Sequence, residues 1–237
     1  MKTYKYEMHC HTSEVSACGR ISASELMDVY KNAGYDGVVV TDHFLNGSNR
    51  IDKTLPWEEK VHLMEEGYRC ALERGKELGL DVFYAWEISF RGTDFLIYGL
   101  DTKWLLENPD CDKLTLNEFS DLAHAGGGYV VHAHPFREAG YIDMIRLLPR
   151  HVDAVETLNA CRTDFENKMA DQYADNYGLV KICGTDNHIG KRERFSVLEL
   201  PERATSISDI INAIKENKHT ISMYEMNDEG KLTNKLA

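Results

Sequence analysis

The chain has 237 residues, 43% hydrophobic and 28% charged, with a formal net charge of −12. That length is enough to bury a full core in one α/β barrel domain spanning 1–237, and the composition is that of a globular protein. No run of about 18 apolar residues occurs, which excludes a membrane-spanning helix, and the acidic balance argues against a sequence-independent grip on nucleic-acid phosphates. Carboxylates gathered around bound cations would account for part of that acidity. The opening MKTYKYEMHC lacks the apolar stretch of a signal peptide and points to the cytoplasm. Six cysteines without a CxxC pair read as reduced thiols rather than a disulfide framework.

Strand and helix signals alternate along the whole chain. The first strand covers residues 3–11, with Tyr4, Tyr6, Met8 and Cys10 on one face and Lys5, Glu7, His9 and His11 on the other. Ser22 and Glu25 form a capping box that opens a helix through about Asn32, closed by Gly34. VVVTDH is a buried strand ending at His43, and Pro56 starts a long amphipathic stretch to Gly79. VFYAWEIS and FLIYGL are the next two strands. Thr115 and Glu118 supply a second capping box before the strand in GGGYVVHAHP, with His124 just ahead of it. A helix over 139–148, strand VDAVETLN, helix 164–177, strands VKICGTDNH and SVLEL and a helix over 207–217 follow, and the polar tail after Met226 is expected to fray. About seven β–α units without a linker favour a barrel over an open doubly wound sheet. Neither GxGxxG nor GxxxxGK[ST] occurs, which removes the nucleotide-cradling motifs.

The polar residues at the ends of these strands carry the chemistry. In turn they are His9 and His11, Asp42 and His43, Glu87, His132 and His134, Glu156 and Asn159, and Asp186 and His188. In parallel β/α architectures those ends converge on one face. A lone HxH is more often incidental than a ligand pair, His132 alone reads as a core histidine, and a lone Glu87 as a buried acid with a basic partner. Six strand ends that each carry a metal-competent group are better explained by a metal site, and mixed imidazole and carboxylate suits Zn, Fe or Mn.

HxH (His9, His11), TDH (Asp42, His43), Glu87, His134-Pro135 and DxH (Asp186, His188) form an ordered set over residues 8–188. That set resembles the PHP family, the polymerase-and-histidinol-phosphatase group of metal-dependent phosphoesterases. The resemblance implies a distorted (β/α)7 barrel holding two or three divalent ions. It gives a first ion His9, His11, Glu87 and Asp186, and it lets Glu87 bridge to a second ion that also takes His134. A third ion takes His43, His188 and a ligand from the loop after the first motif. There the family places His or Asp before a glycine, and this chain has Cys18 before Gly19. A thiolate ligates Zn or Fe well, and a buried structural thiol is the alternative. On the fourth strand a family histidine is replaced by Asp94, which either substitutes as a ligand or leaves the second ion weakly held. Asp42, His132 and Asn159 are then groups that support the ligands.

The implied reaction is hydrolysis of a small-molecule phosphomonoester by water activated between ions, so no side-chain nucleophile is required. His43 or His188, where not fully taken up by metal, would protonate the leaving group. Arg20, Arg137 and Arg162 follow strand ends and suit phosphate oxygens, unless each merely pairs with a nearby acid. Short loops after the second and fourth strands point to a compact mouth and a small phosphorylated substrate, with neither nucleic acid nor membrane as partner; oligomeric state stays open. Two rivals stand beside this reading. One is a metal-dependent amidohydrolase, for which Lys103 is the nearest candidate bridging lysine. The other is a non-catalytic metal-binding module.

Overall fold

The computed structural model describes residues 2–236. β1 (Tyr4–Glu7), β2 (Gly37–Val40) and β3 (Asp81–Phe90) lie side by side and parallel. They are joined by α1 (Ala23–Ala33) and by α2 (Trp57–Met64) with α3 (Glu66–Leu78), which meet at Glu65. The capping box at Ser22 forms as expected, and Gly34 ends α1 with φ of 91°. β4 (Thr93–Tyr98) then runs antiparallel to β3, because Arg91 and Gly92 both take positive φ and reverse the chain in two residues. After α4 (Thr102–Glu107) and α5 (Leu116–Ala125), β5 (Tyr129–Ala133) is antiparallel to β4 and parallel to β6 (Ala154–Asn159). α6 (Asp164–Tyr177) leads to β7 (Val180–Gly184), parallel to β6. β8 (Arg194–Leu200), α7 (Ile207–Lys215), β9 (Thr220–Met226) and β10 (Leu232–Lys235) complete the chain.

The strands form one ten-stranded sheet in the order β10-β9-β8-β1-β2-β3-β4-β5-β6-β7. The fold is therefore mixed α/β with a curled sheet, and the regular parallel alternation of a (β/α)7 barrel is broken by the β3–β4–β5 meander and by the antiparallel β8–β9–β10 extension. The curl brings the two ends of the β1–β7 arc together. Asp186 N donates to the His9 carbonyl at 2.8 Å and His11 N to the Asn187 carbonyl at 2.9 Å. The enclosed core takes residues from successive strands, among them Tyr6, Val39, Ala85, Leu96, Val131 and Ile182. On the outside, α1 and α3 cover Val38 and Val40, while Phe44, Trp86 and Phe119 pack in a second cluster.

Three sequence expectations change. No helix forms over 139–148: Tyr141, Met144 and Ile145 have helical spacing but remain exposed, and periodicity without a face to bury does not nucleate a helix. The tail pairs with β9 as β10, and Lys231 Nζ donates to Asn32 Oδ1 at 2.9 Å, tying it to the end of α1. The connection after β2 is long, over 41–56, and only the one after β4 is short. No helix among the described residues is long and apolar enough to cross a membrane, and all six cysteines are free.

Candidate metal centre

The site begins with a slip in β1. Met8 joins the enclosed core with Tyr6, yet Cys10 packs against α1, so side-chain alternation breaks between them. Buried Glu7 makes the break tolerable. Its carboxylate accepts from Met8 N at 3.0 Å, His9 N at 2.9 Å and Thr185 N at 2.8 Å, and from the Thr185 hydroxyl. One side chain thus ties the start of HxH to the end of β7. Burial pushes the Glu7 carboxyl up to about 7 against those hydrogen bonds.

His9 and His11 emerge from this turn fully buried, each with its Nδ1 committed. His9 Nδ1 donates to Glu156 Oε1 at 2.9 Å. His11 Nδ1 lies 3.2 Å from Ser16 Oγ, and Ser16 spends its proton on Asp42 Oδ1 at 2.6 Å, so the imidazole is the donor. Both Nε2 atoms are left to face each other at 3.1 Å. Around them stand Glu87 Oε1 and Asp186 Oδ1, each 3.5 Å from His9 Nε2, and His11 Nε2 is 3.4 Å from Asp186 Oδ1 and from Glu87 Oε2. Burial opposes a charge on His9, but Glu156, Asp186 and Glu87 outweigh it and hold its pKa well above the ordinary value. Burial, with His188 and His43 beside it, drives His11 the other way. Glu87 and Asp186 both stay ionised despite burial because imidazoles surround them. One proton joins one pair of these atoms, whereas a divalent ion satisfies all of them at once. The donor set therefore fits a metal.

His134 and Asp186 reach the cluster through strained backbone. Simple alternation would put His132 and His134 on the same side of β5. His134 has φ of 27°, which turns its ring inward to 3.2 Å from Glu87 Oε1. Asp186 has φ of 56°. Non-glycine residues rarely hold such angles unless their surroundings impose them, and they concentrate at functional sites. His132 keeps the outward direction, and its expected supporting role is corrected. Its ring stacks on Phe95 at 4.9 Å and meets the edge of Tyr173, with neither nitrogen hydrogen-bonded. Burial, with a smaller push from His134, lowers its pKa to about 3.

Three donor groups come close enough to share an ion: His9–His11–Asp186, His9–Glu87–His134 and His11–His43–His188. In the last, the His11 ring stacks on His43 at 4.4 Å and on His188 at 4.2 Å. His43 Nδ1 is 2.9 Å from Glu87 Oε2 but is not directed at it as a hydrogen bond. His188 Nδ1 donates to the Asp186 carbonyl at 2.8 Å, leaving Nε2 available. Cys18 lines the same cavity as His43 and His188. Burial raises its thiol, yet those two imidazoles outweigh burial and bring it to about 6.

Asp94 stands at the mouth because β4 is antiparallel and starts there. It belongs to none of the three groups: Arg137 Nη2 donates to its Oδ2 at 2.6 Å and the Ser89 hydroxyl to its Oδ1. Arg162 approaches Asp186 Oδ2 at 3.9 Å, and Arg20 lines the cavity beside Cys18. Asp42 orders the first loop by accepting from Thr12 N at 2.7 Å and from Ser16. His124 lies away from the cluster, paired with Asp153 at 2.9 Å, and Lys103 is an exposed partner of Glu107.

Glu156 and Ser16 hold the two leading histidines, and neither role was read from the sequence. Glu156 stood out as a strand-end acid, but only the fold aims it at His9. Its Oε2 also accepts from His134 N at 3.0 Å and from Asn159 Nδ2 at 2.9 Å, so Asn159 acts through Glu156. Such outer partners fix ring orientation and tautomer at metal sites.

No family model matches the sequence, and no curated protein matches it. Solved structures do share the fold. A two-domain protein from Bacteroides vulgatus ATCC 8482, named as containing a predicted PHP-like metal-dependent phosphoesterase, superposes with a TM-score of 0.67 at 16% identity, over 95% of this chain and 67% of its own. PsfC from Pseudomonas syringae PB-5123 gives 0.63 at 18% identity over 97% and 94%. An amidohydrolase from Chromobacterium violaceum, with bound sulfate and no metal, gives 0.56 at 14% over 88% and 96%. At these identities the likeness is one of fold.

Proposed function

We propose that this chain is a metal-dependent phosphoesterase that hydrolyses a small-molecule phosphomonoester using two or three divalent ions. The observation that carries the reading is the pair of Nε2 atoms of His9 and His11, 3.1 Å apart between the carboxylates of Glu87 and Asp186. His9, His11, Glu87 and Asp186 would hold one ion, Glu87 and His134 a second, and His43, His188 and Cys18 a third. The bound ions would neutralise phosphate charge and lower the pKa of a water.

The chain's own groups do the rest. Arg20, Arg137 and Arg162 offer guanidinium donors at the mouth for phosphate oxygens. Arg137 is braced by Asp94, which gives that carboxylate a positioning role in place of ligation. With Nδ1 bound to the Asp186 carbonyl, His188 has one free ring nitrogen, Nε2, which would ligate the third ion or, in a two-ion site, hold the proton for the leaving oxygen. Glu156 and Ser16 keep His9 and His11 in the tautomers that expose Nε2.

Elemental analysis of the purified protein, followed by assays on phosphomonoesters and on N-acyl amino acids, tests this. The expected result is at least two equivalents of metal and turnover of phosphomonoesters alone. Activity confined to amides would establish the amidohydrolase reading, which the exposed, distant Lys103 disfavours. Bound metal without any turnover would leave a binding module.

A further inference from the structure

The three donor groups overlap, so the cluster has fewer free ligand atoms than their number suggests. His9 belongs both to His9–His11–Asp186 and to His9–Glu87–His134. Its Nδ1 is bound to Glu156 at 2.9 Å, which leaves Nε2, and one imidazole nitrogen serves one ion. With Nε2 given to the group that holds His11 and Asp186, the other group keeps His134 and a share of Glu87. The next carboxylate oxygen, Asp186 Oδ2, is 3.9 Å from His134 Nε2 and 3.9 Å from Arg162 Nη2. Catalytic metal sites ordinarily offer about three protein ligands of their own. The position beside His134 does not.

A fixed cation stands there instead. Arg137 follows His134 within one turn, its N–H donating to the His134 carbonyl at 2.9 Å, and both residues line one small recess with Asp94. Arg137 Nη2 donates to Asp94 Oδ2 at 2.6 Å, and the guanidinium lies over the Tyr141 ring, 5.6 Å from its centroid. Its Nε is buried with no hydrogen-bond partner among the described residues. Burial opposes the charge, yet Asp94, with Tyr141, Glu87 and Asp186, outweighs burial and holds the guanidinium above its ordinary pKa. Glu87 and Asp186, the carboxylates a second ion would draw on, thus already feel a positive charge, and Asp94 is spent on the same group. A guanidinium needs no ligand set, stays charged and forks onto phosphate oxygens.

We infer that the Arg137 guanidinium stands in for an ion between Glu87 and His134, so that the centre meets phosphate with two metal ions and one guanidinium. This rests on the proposed metal centre and narrows its ions to the His9–His11–Glu87–Asp186 and His43–His188–Cys18 positions.

Two double variants of the full chain test it. Asp94→His/Arg137→Ala exchanges the guanidinium for an imidazole, and Asp94→Asn/Arg137→Ala removes it and offers only a neutral amide. After dialysis against excess Mn(II), elemental analysis is expected to find no more than two equivalents in the unaltered chain. The first variant is expected to hold one more than the unaltered chain, and the second none more. Titration calorimetry with orthophosphate at that loading gives a separate readout. The second variant is expected to bind it about tenfold more weakly than the unaltered chain, and the first to recover most of that loss. Three equivalents in the unaltered chain, no added equivalent in the first variant, or equal phosphate affinities in the two variants overturns the inference. Should circular dichroism show that neither variant folds, the count in the unaltered chain still decides, three equivalents refuting the exchange and two supporting it. Turnover of phosphomonoesters with three ions bound would remove this exchange alone. The expected counts without turnover of any phosphoester would remove the phosphoesterase reading alone.

Discussion

Glu156 is a fully buried acid whose two oxygens serve three different donors: His9 Nδ1, His134 N and Asn159 Nδ2. Replacing it by Gln turns one acceptor into an N–H₂ that must face one of those donors. Glu156→Gln is expected to weaken metal binding about 10- to 100-fold, read by competition with a chromogenic chelator, while far-UV circular dichroism stays unchanged. An unaltered affinity would mean that His9 does not depend on this partner. His132 makes the opposite case, a histidine kept for packing. With its pKa lowered to about 3 in the fold and near 6.5 unfolded, the unfolded chain binds the extra proton between those values. Its contribution is therefore intact above pH 6.5 and lost on acidification through that window, by at most about 1.4 kcal/mol per pH unit. His132→Phe should flatten the fall in urea midpoint between pH 6.5 and 4.5 and leave metal content unchanged. The same two residues mark how far the sequence could be read. His9, His11, Glu87, His134 and Asp186 were legible because strand ends converge. The aim of Glu156 and the direction of His132 depend on a tertiary contact and on the φ of the following histidine, which no spacing rule encodes.

At the scale of elements, the close approach of β1 to the end of β7 depends on Gly184. A Cβ there would fall inside contact distance of the His9 Cβ and the Glu156 carboxylate oxygen. Both are rigidly held, so Gly184→Ala is expected to cost about 1–3 kcal/mol and to reduce metal loading. Gly140→Ala, whose Cβ meets nothing within 4 Å, should stay within about 0.5 kcal/mol. Parallel melting curves and metal analysis of the two variants check this, and equal behaviour would show that the strand ends can part without harm. Local signals predicted the elements well where they were complete. The capping boxes at Ser22 and Thr115 form, and similar boxes open α6 at Thr163 and α7 at Ser206. They failed where a partner decides. The apolar spacing over 139–148 had no face to cover, and Arg91-Gly92 is not among the commonest hairpin pairs, so the reversal of β4 that brings Asp94 to the mouth stayed hidden.

For the molecule as a whole, the donor cluster sits where the sheet curls back on itself. β1 and β7 meet at their ends through two backbone hydrogen bonds and the Glu7 carboxylate, and the donors come from β3 and the segments after β1, β2, β5 and β7. An ion held by His9, His11, Glu87 and Asp186 would pin the first, third and seventh strands together, so metal binding would add to the closure of the curl. Stripping it leaves two carboxylates and two facing imidazole nitrogens in a buried space, where unpaired charge is costly. An ion present at about 1,000 times its Kd contributes about 4 kcal/mol to stability, which for a chain of this size is a shift of about 8–16 °C in Tm. Chelation should lower Tm by that amount, and added Mn, Fe or Zn should restore it. Hydrogen exchange locates the effect. Protection should fall at residues 9–11 and 185–188 and persist in β9 and β10, which take no part in the closure. A uniform loss across the chain, or a Tm indifferent to chelator, would separate the cluster from the stability of the fold and leave the curl to be held by its backbone hydrogen bonds and Glu7 alone.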